Sequence, residues 1–532
     1  MLEIHPARSG LLTARVGGVY LHSPYDPEAE ARRFAEGALA GACPATVLLL
    51  GAELGYAGRA ILRLCPGTRL LPVYYSAELA AHGPPGWSSA GRETLLEHLR
   101  RALTDAEGLA VLEWPASARL FPQASREARR QTAQLLRELR GGLATTAAVG
   151  RRWLANCLNN FLGIERVLSA TLPPTSQPIL IAASGPSLQA ALPALSSLRE
   201  RIALWALPSA ADCLQAYGLV PDLVVLTDPG WYGLAHLFPL RAVGTALAMP
   251  LSAATGAWAL AGGVQLLAQE ALYEQALLAA AAYPAPIVPP QGTVAATAMA
   301  LALRRTPREV IFAGLDLCYQ DVLGHARPNL FERTLEDGSD RLQPLHHRRF
   351  AWARAQAPRR LGGGARTGLA LETYAGWFAD RAADPRLYRL LPSEVALPGF
   401  QPLDLSGLSR LLTHPQPAGT SRPGSPPAAF PAQPGYPDRP QRLGILRSLL
   451  EDWQQRARRL ASRVASAGDP AALAEDPLAA SLAGHFDAAR LAESRRTMRT
   501  RGPQAAAAAV AALLEDLGLF LGERRERLEG PP

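Results

Sequence analysis

The sequence predicts an α/β fold with two α/β units and a C-terminal helical region. Short apolar runs with β character recur between stretches of helical periodicity. Several of these runs end in glycine turns that lead directly into helices, which is typical of parallel sheets covered by helices on both faces. The chain of 532 residues is longer than one hydrophobic core normally serves, so we expect about three domains.

Residues 1–150 predict a Rossmann-like α/β unit. Asp26 is placed to cap a helix, and the apolar run 46–50 predicts a strand that ends in the glycine turn 51–56. The G-x-G-x-x-G spacing of dinucleotide sites is missing from this turn, so tight packing is favoured over ligand binding. A helical connector, interpreted as a spacer, is expected to continue to about residue 175.

The central unit, residues 176–403, is predicted to be a doubly wound α/β nucleotide-binding domain. Six short apolar runs flanked by turn residues predict its strands, at 178–183, 201–206, 222–227, 245–249, 287–289 and 309–313. Open sheets of this kind bind ligands in the crevice outside the carboxyl ends of the strands. We therefore expect the functional residues in the loops that follow these strands.

Two further segments complete the chain. Residues 404–440 are rich in proline, which favours an extended backbone, and predict a linker. Residues 441–532 predict a helical domain whose amphipathic faces pack internally, because their polar sides mix acids with arginine. We expect no membrane span and no secretory signal.

The composition argues against several classes of function. The formal net charge is +8 and the sequence contains no lysine, but the arginines are spread over helices that also carry glutamate, which disfavours nucleic-acid binding. The five cysteines are isolated and none shows C-x-x-C spacing, so neither a zinc site nor a disulfide framework is expected. Unpaired cysteines fit a reducing cytoplasm.

The strongest local signal is a buried strand that runs through a glycine turn into a helix. The turn consists of Ser184, Gly185, Pro186 and Ser187. The glycine permits close backbone approach, the proline presets the first helical turn, and the amides near Ser187 can donate to a phosphate. The alternative is that the turn only starts a helix, with Ser187 as its cap.

A second signal is Asp228, directly after the predicted strand 222–227. A carboxylate in the crevice can hold a metal, bind a ribose or act as a base, and its alternative role is to cap the following turn. Trp231 and Tyr232 follow, where they can stack on a base or simply pack.

A third signal is the glycine turn formed by Gly292 and Thr293, which opens a helix of small residues. Its first amides can bind a second phosphate or a carboxylate, and the alternative is a tightly packed helix start.

The last predicted strand, 309–313, leads to Gly314 and Asp316, and His325 follows on the same loop edge. Imidazole titrates near neutral pH, so His325 is a candidate for proton transfer, although a lone loop histidine is more often structural. The arginine-rich stretch around His346 predicts a disordered insertion.

These motifs, in this order, resemble the motility-associated factor family of bacteria. The likeness rests on G-P-S-L at 185–188, on 221–228, on the Gly292-Thr293 helix start and on G-L-D-L at 314–317 with His325. That family includes glycosyltransferases thought to attach nonulosonic acids to flagellin, and it shares its domain with archaeal 6-hydroxymethylpterin diphosphokinase. The likeness covers roughly residues 15–400.

The resemblance implies a cytoplasmic transferase that uses a nucleotide or nucleotide-sugar, with a CMP-linked sugar favoured, and a protein acceptor such as flagellin. The implied catalytic residues are Asp228 and His325. The implied nucleotide or phosphate contacts are Ser184, Gly185, Pro186, Ser187, Gly292, Thr293, Gly314 and Asp316. The chain is also similar to sialyltransferases that use CMP-sialic acid, but these typically carry asparagine where Ser184 stands.

Two alternatives stay open. One is a Mg²⁺-dependent diphosphokinase acting on 6-hydroxymethylpterin, in which Asp228 holds the metal, although no second acid follows it closely. The other is a non-catalytic docking module for motility proteins, because fold does not determine function. The sequence identifies no definite cofactor, and Mg²⁺ is the candidate if the chain is a diphosphokinase.

Overall fold

The computed structural model describes residues 2–91, 93–103, 106–171, 174–290, 292–381, 384–413 and 430–529. Its contacts divide the chain into two compact units. The first comprises Met1–Ala148, Ala465–Pro470 and Asp487–Val510, and the second comprises Val149–Val464, Ala471–Phe486 and Ala511–Pro532. The C-terminal helices thus contribute to both units, and the four segment boundaries set out above stay a prediction.

The first unit begins with these elements: β1 (Leu2–Pro6), β2 (Leu12–Val16), β3 (Val19–Tyr20), α1 (Pro27–Leu39), β4 (Thr46–Leu50), α2 (Tyr56–Leu64), β5 (Arg69–Tyr74), α3 (Ala77–Ala80), β6 (Trp87–Ser88), α4 (Leu95–Ala102), β7 (Leu109–Glu113), α5 (Pro115–Leu120) and the first part of α6 (Pro122–Gly163). Strands β6, β5, β4 and β7 pair in that order as a parallel sheet, and β1 to β3 form an antiparallel sheet. This is the expected Rossmann-like strand order.

The local predictions for this unit agree with the structure. The Asp26 side chain accepts a hydrogen bond from the Ala29 amide at 3.0 Å and caps α1. In the glycine turn, Gly51 has φ +66°, and a Cβ added there would lie 2.5 Å from the Ser117 Cβ. The turn is therefore filled by protein atoms, which supports tight packing.

The cysteine prediction was wrong for one pair. Cys43 and Cys65 form a disulfide, with their Cα atoms 5.5 Å apart. The two cysteines follow the C-terminal ends of α1 and α2, and the packing of these helices brings them together across 22 residues of sequence. The argument for a reducing compartment from unpaired cysteines no longer holds, and the cytoplasmic location stays a prediction.

A buried carboxyl group connects β4 to the end of β5. Glu53 is fully buried, and its Oε1 accepts hydrogen bonds from the amides of Tyr75 at 2.5 Å and Ser76 at 3.3 Å. Its Oε2 has no hydrogen-bond partner among the described residues. Burial raises the pKa of Glu53 to about 7, against the lowering effect of the two amides.

Glu53→Gln should change how stability depends on pH. A folded-state pKa of about 7 lies above the ordinary 4.5, so the wild type loses stability as the pH rises from about 4.5 to about 7. The loss is on the order of 3 kcal/mol, and glutamine, which imitates the protonated acid, avoids it. Denaturation at several pH values, with Glu78→Gln at an exposed site as control, measures this. Parallel pH profiles for wild type and Glu53→Gln would contradict it.

The second unit contains the rest of α6 and the following elements: β8 (Ile179–Ala182), α7 (Leu188–Leu198), β9 (Ala203–Ala206), α8 (Ala211–Ala216), β10 (Leu223–Val225), α9 (Trp231–Ala235), β11 (Ala246–Pro250), β12 (Gly263–Leu267), α10 (Leu272–Ala280), α11 (Val294–Arg305), β13 (Val310–Ala313), β14 (Tyr319–Gln320), α12 (Leu330–Asp337), α13 (Leu345–Gln356), β15 (Arg359–Arg360), β16 (Ala365–Thr367), α14 (Leu369–Arg381), β17 (Leu387–Leu390), β18 (Gln401–Leu403), α15 (Leu405–Thr413), α16 (Arg439–Ala467) and α17 (Pro477–Phe486). Two helices follow, α18 (Ala488–Arg501) and α19 (Pro503–Glu529).

An eight-stranded sheet forms the centre of this unit, in the order β12, β11, β10, β9, β8, β13, β17, β18. Every pairing in it is parallel, which confirms the doubly wound α/β prediction. The strand order reverses between β8 and β13, because the chain runs outward from β8 to β12 and then returns to the other side. Ligand crevices form at such a switch point.

The strand predictions missed three members of this sheet and misplaced one. Strands β12 and β17 carry the buried polar residues Gln265 and Arg389, which interrupt the apolar runs, and β18 is only three residues long. The run 287–289, which was predicted to be a strand, forms only an isolated β-bridge between Ile287 and Ala268.

Helix α6 does more than connect. The Asn160 side-chain amide donates to the carbonyl oxygens of Leu251 and Ala253, both at 2.8 Å, in the loop after β11. Asn156 donates to the Pro229 carbonyl at 3.1 Å. The spacer interpretation was therefore wrong for the second half of this helix, which orients two loops at the carboxyl edge of the sheet.

Asn160→Ala should destabilise the chain by about 1–3 kcal/mol, because two buried carbonyl groups lose their donor. Urea denaturation measures the change, and Asn159→Ala, at the adjacent exposed position, serves as the control. Equal losses of stability in the two variants would show that the buried Asn160 amide does not stabilise the chain more than an exposed one.

Three other expectations concern the insertion and the C-terminal region. The stretch around His346 is the ordered helix α13, so the prediction of a disordered insertion was wrong. Residues 405–413 of the expected linker are helical, and the run 414–429 lies outside the described residues. By length and composition, Pro503–Leu528 is a candidate membrane span, but 61% of its most apolar window is buried inside the structure.

Candidate functional site

A cavity of about 390 Å³ opens at the carboxyl edge of the sheet in the second unit. Its size is within the usual range for small-molecule sites, about 300–1,000 Å³. Loops after β8, β9, β10 and β13 line it together with the start of α11. The residues singled out from the sequence that line it are Ser184, Gly185, Asp228, Thr293, Gly314, Asp316 and His325.

The floor of the cavity is formed by two glycine turns that touch each other across the switch point. The Gly185 amide donates to the Gly314 carbonyl at 2.8 Å. A Cβ on Gly185 would lie 2.5 Å from that carbonyl oxygen, and one on Gly314 would lie 2.6 Å from the Ala183 carbonyl oxygen. Only glycine allows this approach at either position.

The Asp316 carboxylate binds the turn that was predicted to hold a phosphate. The Ser187 amide donates to Asp316 Oδ2 at 2.7 Å, and the Ser187 hydroxyl donates to Oδ1. Burial raises the pKa of Asp316, while Ser187 and the nearby Arg389 oppose that rise. Pro186 and Ser187 do not line the cavity, and in this structure the Ser187 donors are engaged within the protein.

Two hydroxyl groups lie side by side on the same wall. The Ser209 hydroxyl, after β9, donates to Ser184 Oγ at 2.8 Å. The Ser184 carbonyl accepts a hydrogen bond from the Ala326 amide at 2.7 Å, which places the neighbouring His325 over the cavity. Sequence reasoning missed Ser209, although a hydroxyl after the β9 strand end was a signal for it.

Asp228 both caps its turn and lines the cavity. Its Oδ1 accepts a hydrogen bond from the Gly230 amide at 2.6 Å, and its side chain is exposed. Tyr232 also lines the cavity, whereas Trp231 is 63% exposed and packs on Phe238 at 5.7 Å between ring centroids. Of the two aromatic residues proposed from the sequence, Tyr232 is the one positioned to meet a ligand.

The start of α11 closes another side of the cavity. Thr293, Val294 and Ala295 line it, and the first amides of a helix have no intrahelical acceptor. Gly292 has φ +74° and does not line the cavity itself. The arrangement offers backbone donors and the positive end of a helix dipole to an anion.

Four rings form what we call the aromatic cluster: Tyr232, His236, His325 and Phe331. Phe331 is its centre, at centroid distances of 5.1 Å to Tyr232, 5.1 Å to His236 and 5.0 Å to His325. All four residues line the cavity. Sequence reasoning missed His236 and Phe331, since they lie about 100 residues apart and meet only because α12 packs against α9.

Both histidines of the cluster are held neutral at pH 7. Burial, with a smaller contribution from the neighbouring His236, lowers the pKa of His325 to about 4. Burial also lowers the pKa of His236, while the carboxylates of Asp212 and Asp228 raise it. The cavity therefore presents two imidazoles that can accept a proton.

The residues around the cavity fit a catalytic Mg²⁺ poorly. Mg²⁺ in phosphoryl-transfer sites is usually bound by one or two carboxylates together with substrate phosphates. Both Asp316 oxygens accept hydrogen bonds from Ser187, and one Asp228 oxygen accepts from Gly230. Within the described ranges, no group of three or more His, Cys, Asp or Glu side chains could hold a metal ion.

Comparison with known proteins agrees with this geometry. Residues 151–322 match the family model described as 6-hydroxymethylpterin diphosphokinase MptE-like. The second unit contains an MptE-like domain. The cavity residues from Ser184 to Gly314 lie within the matched range, and so does Asp316. His325 and Phe331 lie just beyond it.

Two other relatives extend beyond the MptE-like domain. The chain has the fold of the MAf glycosyltransferase from Magnetospirillum magneticum AMB-1, with a TM-score of 0.59, 13% identity, and coverage of 100% of this chain and 93% of that one. An uncharacterized protein of Treponema pallidum (strain Nichols) is 24% identical over 278 residues. That match spans 51% of this chain and 56% of the relative. The resemblance to the motility-associated factor family is confirmed at the level of the domain and the fold.

Substitutions at two glycines should separate backbone strain from crowding. Gly292 and Gly314 share φ +74°, but a Cβ at 292 would meet no described atom within 4 Å, whereas one at 314 would clash with the Ala183 carbonyl. Gly292→Ala should cost about 1–2 kcal/mol from the left-handed backbone alone. Gly314→Ala should cost clearly more, as measured by urea denaturation. Equal losses of stability would mean that the close contact between the Gly185 and Gly314 turns does not stabilise the MptE-like domain.

Proposed function

We propose that this chain is a glycosyltransferase that binds a nucleotide-activated sugar in the cavity of the MptE-like domain and transfers the sugar to a protein hydroxyl. The favoured donor is a CMP-linked nonulosonic acid, and the favoured acceptor is a serine or threonine of flagellin or another surface protein. The observation that carries the proposal is the cavity itself, because it combines anion donors, hydroxyls and proton acceptors at one switch point.

The charges of the lining support a donor with a single phosphate. No arginine is among the described residues that line the cavity, and its ionisable side chains include two carboxylates and two neutral histidines. A CMP-linked nonulosonic acid carries one negative charge on its phosphodiester and one on its carboxylate, and the α11 amides and the Ser184 and Ser209 hydroxyls can stabilise such charges by hydrogen bonding. The larger charge of a triphosphate would need cations that this lining lacks.

The chemistry of transfer is compatible with the groups present. The acceptor oxygen forms a bond to the anomeric carbon, and the bond from that carbon to the phosphate oxygen breaks. The nucleotide leaves with the electron pair, and a base takes the acceptor proton. Asp228 and His325 are the candidates from the sequence, and we expect the donors at the start of α11, which line the cavity, to stabilise the leaving phosphate.

Placement of the aromatic residues supports recognition of a nucleobase and of a polypeptide. Tyr232 lines the cavity and is 46% exposed, so one face of its ring is available for stacking. Trp231 and Phe238 are both exposed and pack on each other, next in the chain to the cavity residues Tyr232 and His236. We infer that a protein acceptor contacts this exposed aromatic pair.

The second candidate function is a diphosphokinase acting on a hydroxymethylpterin. It is favoured by the description of the family model that residues 151–322 match. It requires a Mg²⁺ ion bound to substrate phosphates, for which this cavity offers Asp228 alone with a free oxygen. We therefore rank it below glycosyl transfer.

Thermal unfolding with nucleotides tests the choice. CMP without metal should raise Tm, since a ligand at about 100 times its Kd stabilises the native state by about 2.7 kcal/mol. Ser209→Trp should abolish the rise by filling the cavity, because Ser209 lines it. Ser197→Trp, at an exposed position on α7, should leave the rise intact.

The alternative outcomes distinguish the other candidates. A rise with ATP or GTP that needs Mg²⁺ and disappears in Asp228→Asn would replace the glycosyltransferase proposal by the diphosphokinase. No rise with any of these nucleotides would indicate a docking module in place of an enzyme.

A further inference from the structure

We propose that His236 is the base that takes the proton from the attacking hydroxyl, with Asp228 stabilising the resulting imidazolium and Phe331 holding the ring in place. The inference rests on the proposed glycosyl transfer and assigns a catalytic residue to it. In this proposal His325 shapes the cavity and does not move the proton.

The position of His236 follows from the close packing of α9 on Asp228. A Cβ on Gly233 would lie 3.0 Å from the Asp228 Cβ and 3.1 Å from its carbonyl oxygen. The glycine thus lets α9 pack directly on Asp228. His236 is the residue after the last residue of α9, and its backbone amide donates to the Tyr232 carbonyl at 3.1 Å. His236 is 7% exposed and lines the cavity.

Phe331 packs against the His236 ring and restricts its movement. Its ring packs edge-on against His236 at 5.1 Å. The start of α12 that carries Phe331 is itself fixed, because Asn329 accepts a hydrogen bond from the Glu332 amide at 3.0 Å and donates to the Ala326 carbonyl at 2.8 Å. Phe331 is therefore a positioning residue that holds His236 through ring contact.

Four charged or titratable groups lie around His236; the two carboxylates among them favour its protonated form, and Arg333 opposes it. They are Asp228 from the loop after β10, Asp212 on α8, Arg333 on α12 and His325 from the loop after β14. Asp212 is paired with Arg333, whose positive charge partly opposes the effect of Asp212 on His236. The negative charge of Asp228 acts on His236 as well, and the Arg152 guanidinium lies near the same turn, since a Cβ on Gly230 would be 3.1 Å from Asp228 Oδ1 and 3.4 Å from Arg152 Nη1.

His325 lacks such support. The titratable neighbour that acts on it is His236, and the two rings would repel each other if both were protonated. Its pKa of about 4 makes it a weak base at neutral pH. His236 is held below its ordinary pKa of 6.5 by burial, but two carboxylates oppose the fall.

The step is balanced without any further reactant. The acceptor O–H bond breaks as the oxygen bonds to the anomeric carbon, and the proton moves to a nitrogen of His236. The sugar–phosphate bond breaks, and CMP leaves with the electron pair. Solvent then removes the proton from His236, which restores the neutral ring.

The test measures CMP release from CMP-N-acetylneuraminate, with a serine peptide as acceptor, over pH about 5 to about 8, where imidazole titrates. His236→Gln should lower kcat by on the order of 10²- to 10⁴-fold while CMP still raises Tm. His325→Gln should have a much smaller effect and keep the wild-type pH profile. His346→Gln, exposed on α13, is the matched control.

Two further variants test the supporting residues. In the wild type, kcat/KM should fall as the pH drops below the pKa of His236, under 6.5. Asp228→Asn removes a charge that raises this pKa, so the fall should move to lower pH and kcat should drop. Phe331→Leu should lower kcat with little change in KM, and Phe331→Tyr, which keeps the ring, should restore it.

Three results would overturn the inference. One is a His236→Gln enzyme with wild-type kcat and pH profile. Another is loss of activity in His325→Gln together with loss of the acidic fall in kcat/KM. If the wild type neither binds CMP nor releases it from the donor, the proposed function itself fails, and the assignment of His236 fails with it.

Discussion

The contact between the glycine turns after β8 and β13 is the constraint on which the rest of the second unit depends. Gly185 and Gly314 meet backbone to backbone at the switch point, and Asp316 ties Ser187 to the same place through both of its oxygens. Because these two turns contact each other directly, they leave no space for a ligand between them and instead form the floor of the cavity. The anion donors that face it come instead from the start of α11.

Burial then sets the chemistry of the cavity wall. The insertion after β13 brings Phe331 against three rings, and burial keeps both histidines neutral. The carboxylates beside them differ in what they can do. Asp316 is fully engaged in holding a turn, whereas Asp228 keeps one oxygen and its charge available. A site with neutral bases, one available carboxylate and no arginine among the described lining residues suits proton transfer better than the handling of a polyphosphate.

Helices distant in sequence complete this wall. The second half of α6 holds the loops after β10 and β11 through Asn156 and Asn160. Gly233 allows α9 to approach Asp228, which brings His236 to the cavity. Long-range hydrogen bonds and close backbone contacts, more than the sheet alone, thus place the groups that would act on a substrate.

The sequence by itself determined the α/β class, most strands of the parallel sheet and the loops that carry Ser184, Asp228, Thr293, Asp316 and His325, because apolar periodicity and glycine turns are local properties. It missed β12 and β17, where a buried Gln265 and Arg389 break the apolar pattern. Only the tertiary structure decided that Ser187 binds Asp316, that Cys43 bonds to Cys65 and that His236 and Phe331 meet at the cavity. Each of these contacts joins residues more than twenty positions apart, and such partners are chosen by packing and not by local pattern.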